Sequence, residues 1–144
     1  MFNTVAVGTD GTETADKAVG VALDIAQRYQ ARLLIFSVYT PASLKQLEKE
    51  REQLPEEVQW TIHASRRVDA ILGVALERAR ALGLESEAVA RQGEPAEVIC
   101  ELASEYNVDL LVIGNKGMNR RVLGSVPKSI CQHAPCSVVV AKTT

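Results

Sequence analysis

The sequence predicts a single α/β domain: a doubly wound parallel sheet of five strands with about four helices. Three observations carry this. Short apolar runs rich in β-branched residues alternate along the chain with longer segments whose apolar residues recur at helical spacing. The best of those runs are continuous rather than alternating, as strands covered on both faces require. The connections between them are of helix length, which parallel neighbours need.

The first run, Thr4–Gly8, is Thr-Val-Ala-Val-Gly and is broken by Thr9-Asp10-Gly11-Thr12. Ala15, Ala18, Val19, Ala22, Ile25, Ala26 and Tyr29 then recur at helical spacing. Asp10 stands three residues before Glu13, a spacing that resembles a capping box. Residues 32–38 form a second, continuous apolar strand. Residues 39–57 carry Pro41, Pro55 and a dense mixture of charges, and read as an excursion. A helix over residues 61–82 has Val68, Ile71, Leu72, Ala75, Ala79 and Leu82 on one face, and Gly83 follows at the C-cap position. Residues 85–91 read as a polar edge strand. Gly93-Glu94-Pro95 turns into a helix whose buried face is Val98, Ile99, Leu102, Ala103 and Tyr106. Leu110 to Ile113 is a fourth strand, residues 126–133 a short helix, and Ser137–Ala141 the fifth strand.

Right-handed crossovers fix the winding of such a sheet. Ligands then sit at the carboxyl ends of the strands, where the winding reverses. The first and fourth strands flank that point. Thr9-Asp10 and the stretch from Gly114 to Ser125 would face one crevice from two sides.

The composition limits the choice of function. A length of 144 residues, 47% hydrophobic and 24% charged, suits one soluble domain with its own core. No apolar run reaches the roughly 20 residues that span a bilayer, and residues 1–4 do not open a signal peptide, so no membrane partner and a cytoplasmic location are expected. Cys100, Cys131 and Cys136 form no Cys-x-x-Cys pair. They read as small buried thiols, and Cys131 with His133 falls short of the four ligands of a zinc site. The net charge of −2 gives no pull toward nucleic acid. Gly114 to Lys128, however, holds four cations (Lys116, Arg120, Arg121, Lys128) and no acid, which leaves 12 cations against 18 acids elsewhere, a balance of −6. A basic patch on an acidic body suits a small anionic ligand.

The stretch Leu-Leu-Val-Ile-Gly-Asn-Lys-Gly-Met-Asn-Arg-Arg-Val-Leu-Gly-Ser, residues 110–125, concentrates the chemistry. Glycines let the main chain approach a ligand closely, and the N–H groups at a helix start carry partial positive charge. Together they make a phosphate site. Plainer roles exist for each residue: Asp10 or Ser125 as an N-cap, Gly114 as a strand end, Lys116 as a solvated cation. Neither Gly-x-x-x-x-Gly-Lys-Ser/Thr nor a Gly-x-Gly-x-x-Gly after the first strand is present. Nor does residues 7–12 supply the Ser-Gly-Gly-x-Asp-Ser turn of an adenylating PP-loop enzyme.

The opening Val-Ala-Val-Gly-Thr-Asp-Gly-Thr, the second strand Leu-Leu-Ile-Phe-Ser-Val and the ending Gly-Ser-Val-Pro-Lys-Ser-Ile-Cys-Gln-His-Ala-Pro-Cys-Ser-Val-Val-Val together resemble the universal stress protein family over nearly the whole chain, as a domain of residues 1–144. The resemblance implies a Rossmann-like five-stranded parallel sheet in the order 3-2-1-4-5. It implies a cytosolic stress-response or signalling protein that binds ATP or another adenine nucleotide, AMP and cyclic AMP included, with Mg²⁺ as a companion ion. ATP-binding members carry Gly-x2-Gly-x9-Gly-Ser/Thr. Gly114 and Gly117 match the first glycines, and Gly124-Ser125 the closing pair. Gly8 and Thr9 form the first turn, Asp10 stands where the ribose is contacted, and Val38 where adenine lies. Ile113, Lys116, Arg120 and Val126, neighbours of these positions in the sequence, are further candidates for the site. The last strand, Ser137–Ala141, is the implied homodimer edge.

One departure matters. Six residues, 118–123, separate Gly117 from Gly124 where the family pattern has nine. Three residues are up to about 10 Å of extended chain. The shorter loop suits a mono- or cyclic nucleotide, with Lys116, Arg120 and Arg121 as its charge. It equally suits the alternative of a nucleotide-free dimeric interaction module. With no histidine or glutamate in the loop and no carboxylate pair beyond Asp10, an enzyme is not expected, although slow hydrolysis or autophosphorylation near Thr9 or Ser125 stays open.

Overall fold

Five parallel strands form one sheet: β1 (Thr4–Gly8), β2 (Arg32–Tyr39), β3 (Ser86–Gln92), β4 (Leu110–Gly114) and β5 (Ser137–Ala141), in the spatial order β3-β2-β1-β4-β5. Among the described residues four helices connect them: α1 (Glu13–Tyr29), α2 (Ala64–Ala81), α3 (Pro95–Glu105) and α4 (Ser125–His133). The computed structural model describes residues 1–39, 64–115 and 123–143. The excursion read over residues 40–57 and the helix start at 61–63 lie outside them.

The hydrophobic pattern explains the layers. β1 is central, with Val5 opposite Leu33 of β2 and Leu110 of β4. Alternate residues of a strand face opposite ways. Val5, Val7, Leu33, Ile35, Leu110 and Val112 therefore face one core, with Val19, Leu23 and Ala26 of α1 and Leu72, Ala75 and Ala79 of α2. Ala6, Leu34, Phe36, Leu111 and Ile113 face the other, with Val98, Ile99 and Leu102 of α3 and Ile130 of α4. Both faces of the central strands are covered, as their continuous apolar runs predict. Ala18, Ala22 and Ala26 are fully buried and let α1 lie close to the sheet. Phe36 is fully buried too, a contribution of about 1.5–3 kcal/mol for such a side chain.

The winding follows from right-handed crossovers. β1 to β3 steps outward in one direction with α1 and α2 on one face. The chain then returns past β1, and β4 to β5 steps the other way with α3 and α4 on the opposite face. The reversal falls between β1 and β4.

The ends of the elements refine the sequence reading. The N-cap of α1 is Thr12, whose side chain accepts from the Ala15 N–H. Asp10 is not in a capping box: its carboxylate lies one turn earlier, accepting from the Thr12 N–H at 3.0 Å and the Thr12 hydroxyl at 2.6 Å. Gly83 does end α2, at φ +73°, with its N–H on the Arg80 carbonyl. Leu82 is exposed rather than part of the buried face, and so is Tyr29, which packs edge-on against Phe2. Tyr106, half-buried, follows α3 as its C-cap. The N-cap of α4 is Gly124, which makes Ser125 the first helical residue and not the cap. β3 and β5 are the sheet edges.

Two polar ties hold the frame. The Asp109 carboxylate accepts from the Asn3 and Thr4 N–H groups, both at 2.9 Å, and so joins the starts of β1 and β4. Arg91 of β3 forks onto the Glu105 carboxylate of α3 at 2.7 and 3.3 Å. That hydrogen bond holds the Glu105 carboxyl below the usual carboxylate range and raises the Arg91 guanidinium.

Candidate functional site

The reversal between β1 and β4 opens a cavity of about 290 Å³ at the carboxyl ends of the strands. Its floor is Gly8 of β1, Phe36 and Val38 of β2, and Ile113 and Gly114 of β4. Pro95 and Ile99 of α3 form one side, and Val126, Pro127 and Ile130 of α4 another. Thr9 and Asp10 lie on its rim with Thr14 and Ala15 of α1. The volume stands at the small end of the roughly 300–1,000 Å³ of small-ligand sites. Apolar side chains make the slot and a few polar groups stand at its edge, the usual division between a site's grip and its specificity.

The rim is built by local chemistry. The Thr9 N–H continues the sheet by donating to the Phe36 carbonyl at 2.8 Å, and the Thr9 hydroxyl accepts from the Gly11 N–H at 3.2 Å. Gly11 turns at φ +81°, a conformation that favours glycine. Ile71 of α2 closes over it, so that a Cβ at Gly11 would lie 2.7 Å from Ile71 Cγ1. The Thr12 hydroxyl donates to Asp10 and lies 3.2 Å from the Thr14 hydroxyl. Asp10, Thr12 and Thr14 thus form one polar ladder from the rim into the first turn of α1. Ile99 packs over Gly8, its Cδ1 at contact distance, 3.4 Å, from where a Cβ would stand.

The opposite wall is the start of α4. Its N-cap, Gly124, offers no side-chain cap bond, and no acid lies in its first turn. Pro127, in that first turn, has no N–H to satisfy. The partial positive charge of the helix start remains for an anion.

Of the residues singled out from sequence, Gly8, Thr9, Asp10, Val38, Ile113, Gly114 and Val126 line this one cavity. Gly124 and Ser125 stand at the helix start beside it but are not in its lining. Lys116, Gly117 and Arg120 lie outside the described residues. Sequence reasoning missed Thr14, Ala15, Phe36, Pro95, Ile99, Pro127 and Ile130. Two signals were available. Phe36 is two residues before Val38 and therefore on the same strand face, and Ile130 is one turn after Val126 on the same helix face. Pro95 and Ile99 had none, because α3 reaches the site only through the return crossover.

A second hollow of about 510 Å³ lies between α3 and α4, lined by Glu97, Cys100, Glu101, Ser129 and His133 among others. Burial pushes the Cys100 thiol up. Burial, with Cys100 and Asp109 nearby, does the same to Cys136. The expectation of three buried thiols is not met: Cys100 and Cys136 are half-buried and Cys131 is exposed. Among the described residues no group of three or more His, Cys, Asp and Glu side chains is placed to hold a metal ion.

Among the described residues no helix is long and apolar enough to cross a membrane. Comparison with known proteins agrees with the architecture. The family model described as "Universal stress protein family" matches residues 1–142. A universal stress protein of Mycobacterium tuberculosis is 33% identical over 147 residues, which cover 99% of this chain and 98% of the relative. Universal stress protein YxiE of Bacillus subtilis is 31% identical over 150 residues, covering 99% and 100%. Among solved structures, a universal stress protein in complex with cAMP is 33% identical with a TM-score of 0.74, covering 99% of this chain and 98% of that one. The sheet order, the four helices and this sequence match together show that the chain belongs to the universal stress protein family.

Proposed function

We propose that this protein is a cytoplasmic stress-response or signalling protein that binds an adenine mononucleotide, cyclic AMP or AMP ahead of ATP, in the cavity between β1 and β4. The observation that carries the reading is the arrangement of that cavity. An apolar slot between Phe36, Val38, Ile99 and Ile130 suits the faces of a purine. Asp10 and Thr9 at the rim suit ribose hydroxyls. Gly114 and the uncapped start of α4 suit a phosphate. The relative solved with cAMP supports the nucleotide class. The small volume and the six-residue spacing between Gly117 and Gly124 support one phosphate over three.

The nucleotide is read as a ligand that shifts a surface, not as a substrate. Among the described lining residues the polar side chains are Thr9, Asp10 and Thr14, a set without a histidine or a second carboxylate to activate water. The nucleotide-free dimeric module is the competing reading. Native mass spectrometry and calorimetric titration with cAMP, AMP and ATP separate the two. A co-purified adenine nucleotide, or heat from cAMP and AMP stronger than from ATP, supports the site. Asp10→Ala is expected to weaken that binding about tenfold or more, the scale of a hydrogen bond to a charged group. Absence of both a retained nucleotide and titration heat would leave the module reading.

A further inference from the structure

The chain just beyond β5 reaches back to the site. Thr143 is 4% exposed, and with Ser37 it is one of two buried polar residues among those described. Burying a hydroxyl without a partner is unfavourable, so its bonds are informative. Both the Thr143 N–H and the Thr143 hydroxyl donate to one acceptor, Asn115 Oδ1, at 2.9 and 2.8 Å. Asn115 directly follows Gly114, the last residue of β4 and part of the cavity floor. The register that sets Gly114 beside Ala141 brings the two chain segments together. Thr143 also covers Gly114 from behind. A Cβ added there would meet Thr143 Cγ2 at 3.5 Å and Oγ1 at 3.6 Å, with Ala18 Cβ at 3.8 Å.

We propose that Thr143 is a positioning residue for the ligand's phosphate: acting through Asn115, it holds the Gly114-Asn115 main chain in the orientation that meets the phosphate. This rests on the nucleotide reading above and adds to it a residue far along the chain that sorts phosphorylated from unphosphorylated ligands. The physical basis is preorganisation. Two bonds onto one side-chain oxygen in a partly buried setting fix Asn115, and through it the adjoining peptide. The chain segment facing the phosphate is then ordered before the ligand arrives, so less ordering opposes binding. Base and ribose lie against Phe36, Val38, Ile99 and Asp10, which Thr143 does not support.

The test compares ligands with and without phosphate. Affinities for cAMP and AMP are measured by calorimetry, and for adenosine by chemical-shift titration, which reads weak binding as well. Thr143→Val keeps the shape and removes the hydroxyl. It is expected to lower cAMP and AMP affinity about five- to tenfold, the weight of one hydrogen bond, with adenosine within about twofold. Thr143→Ser, which keeps the hydroxyl, is expected to restore phosphate-ligand affinity. Asn115→Ala repeats the test from the acceptor side and should show the same selective loss. Unchanged cAMP affinity in Thr143→Val, or an equal fall for cAMP and adenosine, overturns the positioning role while leaving the nucleotide site intact. An unaltered chain that binds none of the three overturns the nucleotide reading and this role with it.

Discussion

Gly11 shows how much a single residue carries at this site. Its φ of +81° and the approach of Ile71 leave no room for a Cβ. Gly11→Ala therefore combines a strained backbone with a clash against a core helix, and is expected to destabilise by about 1–3 kcal/mol. Gly73 is the control. It lies inside α2 with nothing within 4 Å of an added Cβ, so Gly73→Ala should stabilise by roughly 0.5–1 kcal/mol. Thermal or urea unfolding of the two variants beside the unaltered chain checks both signs; equal stability for the two would contradict the packing described at Gly11. The place of Asp10 at the cavity was legible because it stands two residues after the end of a central strand. Its local role was not. Spacing alone pointed to a capping box with Glu13, but the Thr12 hydroxyl is nearer to the helix start and takes the cap, leaving Asp10 on the rim. The contact of Thr143 with Asn115 had no sequence signal, because 28 residues separate the partners and only the β4–β5 register joins them.

At the scale of elements, the strands were the most readable part. Continuous apolar runs marked β1, β2 and β4, and the polar character of residues 85–91 marked β3, observed at Ser86–Gln92, as an edge. Helix ends were less readable. Gly83 announced the end of α2, whereas Gly124 displaced Ser125 as the cap of α4 because glycine there turns the chain in without a side-chain bond. β5 raises a different question. It is an edge strand in the described sheet, and Val140 on it is 37% exposed. An apolar edge invites pairing with another strand. The expected occupant is the same strand of a second copy, an isologous contact. In sedimentation velocity the unaltered chain is expected to run as a dimer. Val140→Lys should shift it toward monomer, because the pairing edge would then have to accommodate a charge. A monomeric unaltered chain, or a variant dimer of unchanged strength, would contradict this assignment of the edge.

For the whole molecule, topology decides where chemistry can happen. Because α1 and α2 cover one face and α3 and α4 the other, the helices that follow β1 and β4 lie on opposite faces of the sheet, and the cavity opens between them. That reversal gathers Gly8, Asp10, Val38, Gly114 and Val126 from across the chain into one lining. The sequence pattern made the reversal predictable, since five strands with helix-length connections admit few windings. It did not reveal the α3 wall of Pro95 and Ile99, whose place depends on the return crossover. The proposed seat of an adenine mononucleotide is this cavity and not the hollow between α3 and α4. The most direct measurement is a backbone amide chemical-shift titration of the full chain with cAMP. Saturable shifts centred on Gly8, Thr9, Gly114 and Val126 are expected. Shifts centred on Glu97, Ser129 and His133, or no saturable shifts at all, would contradict it.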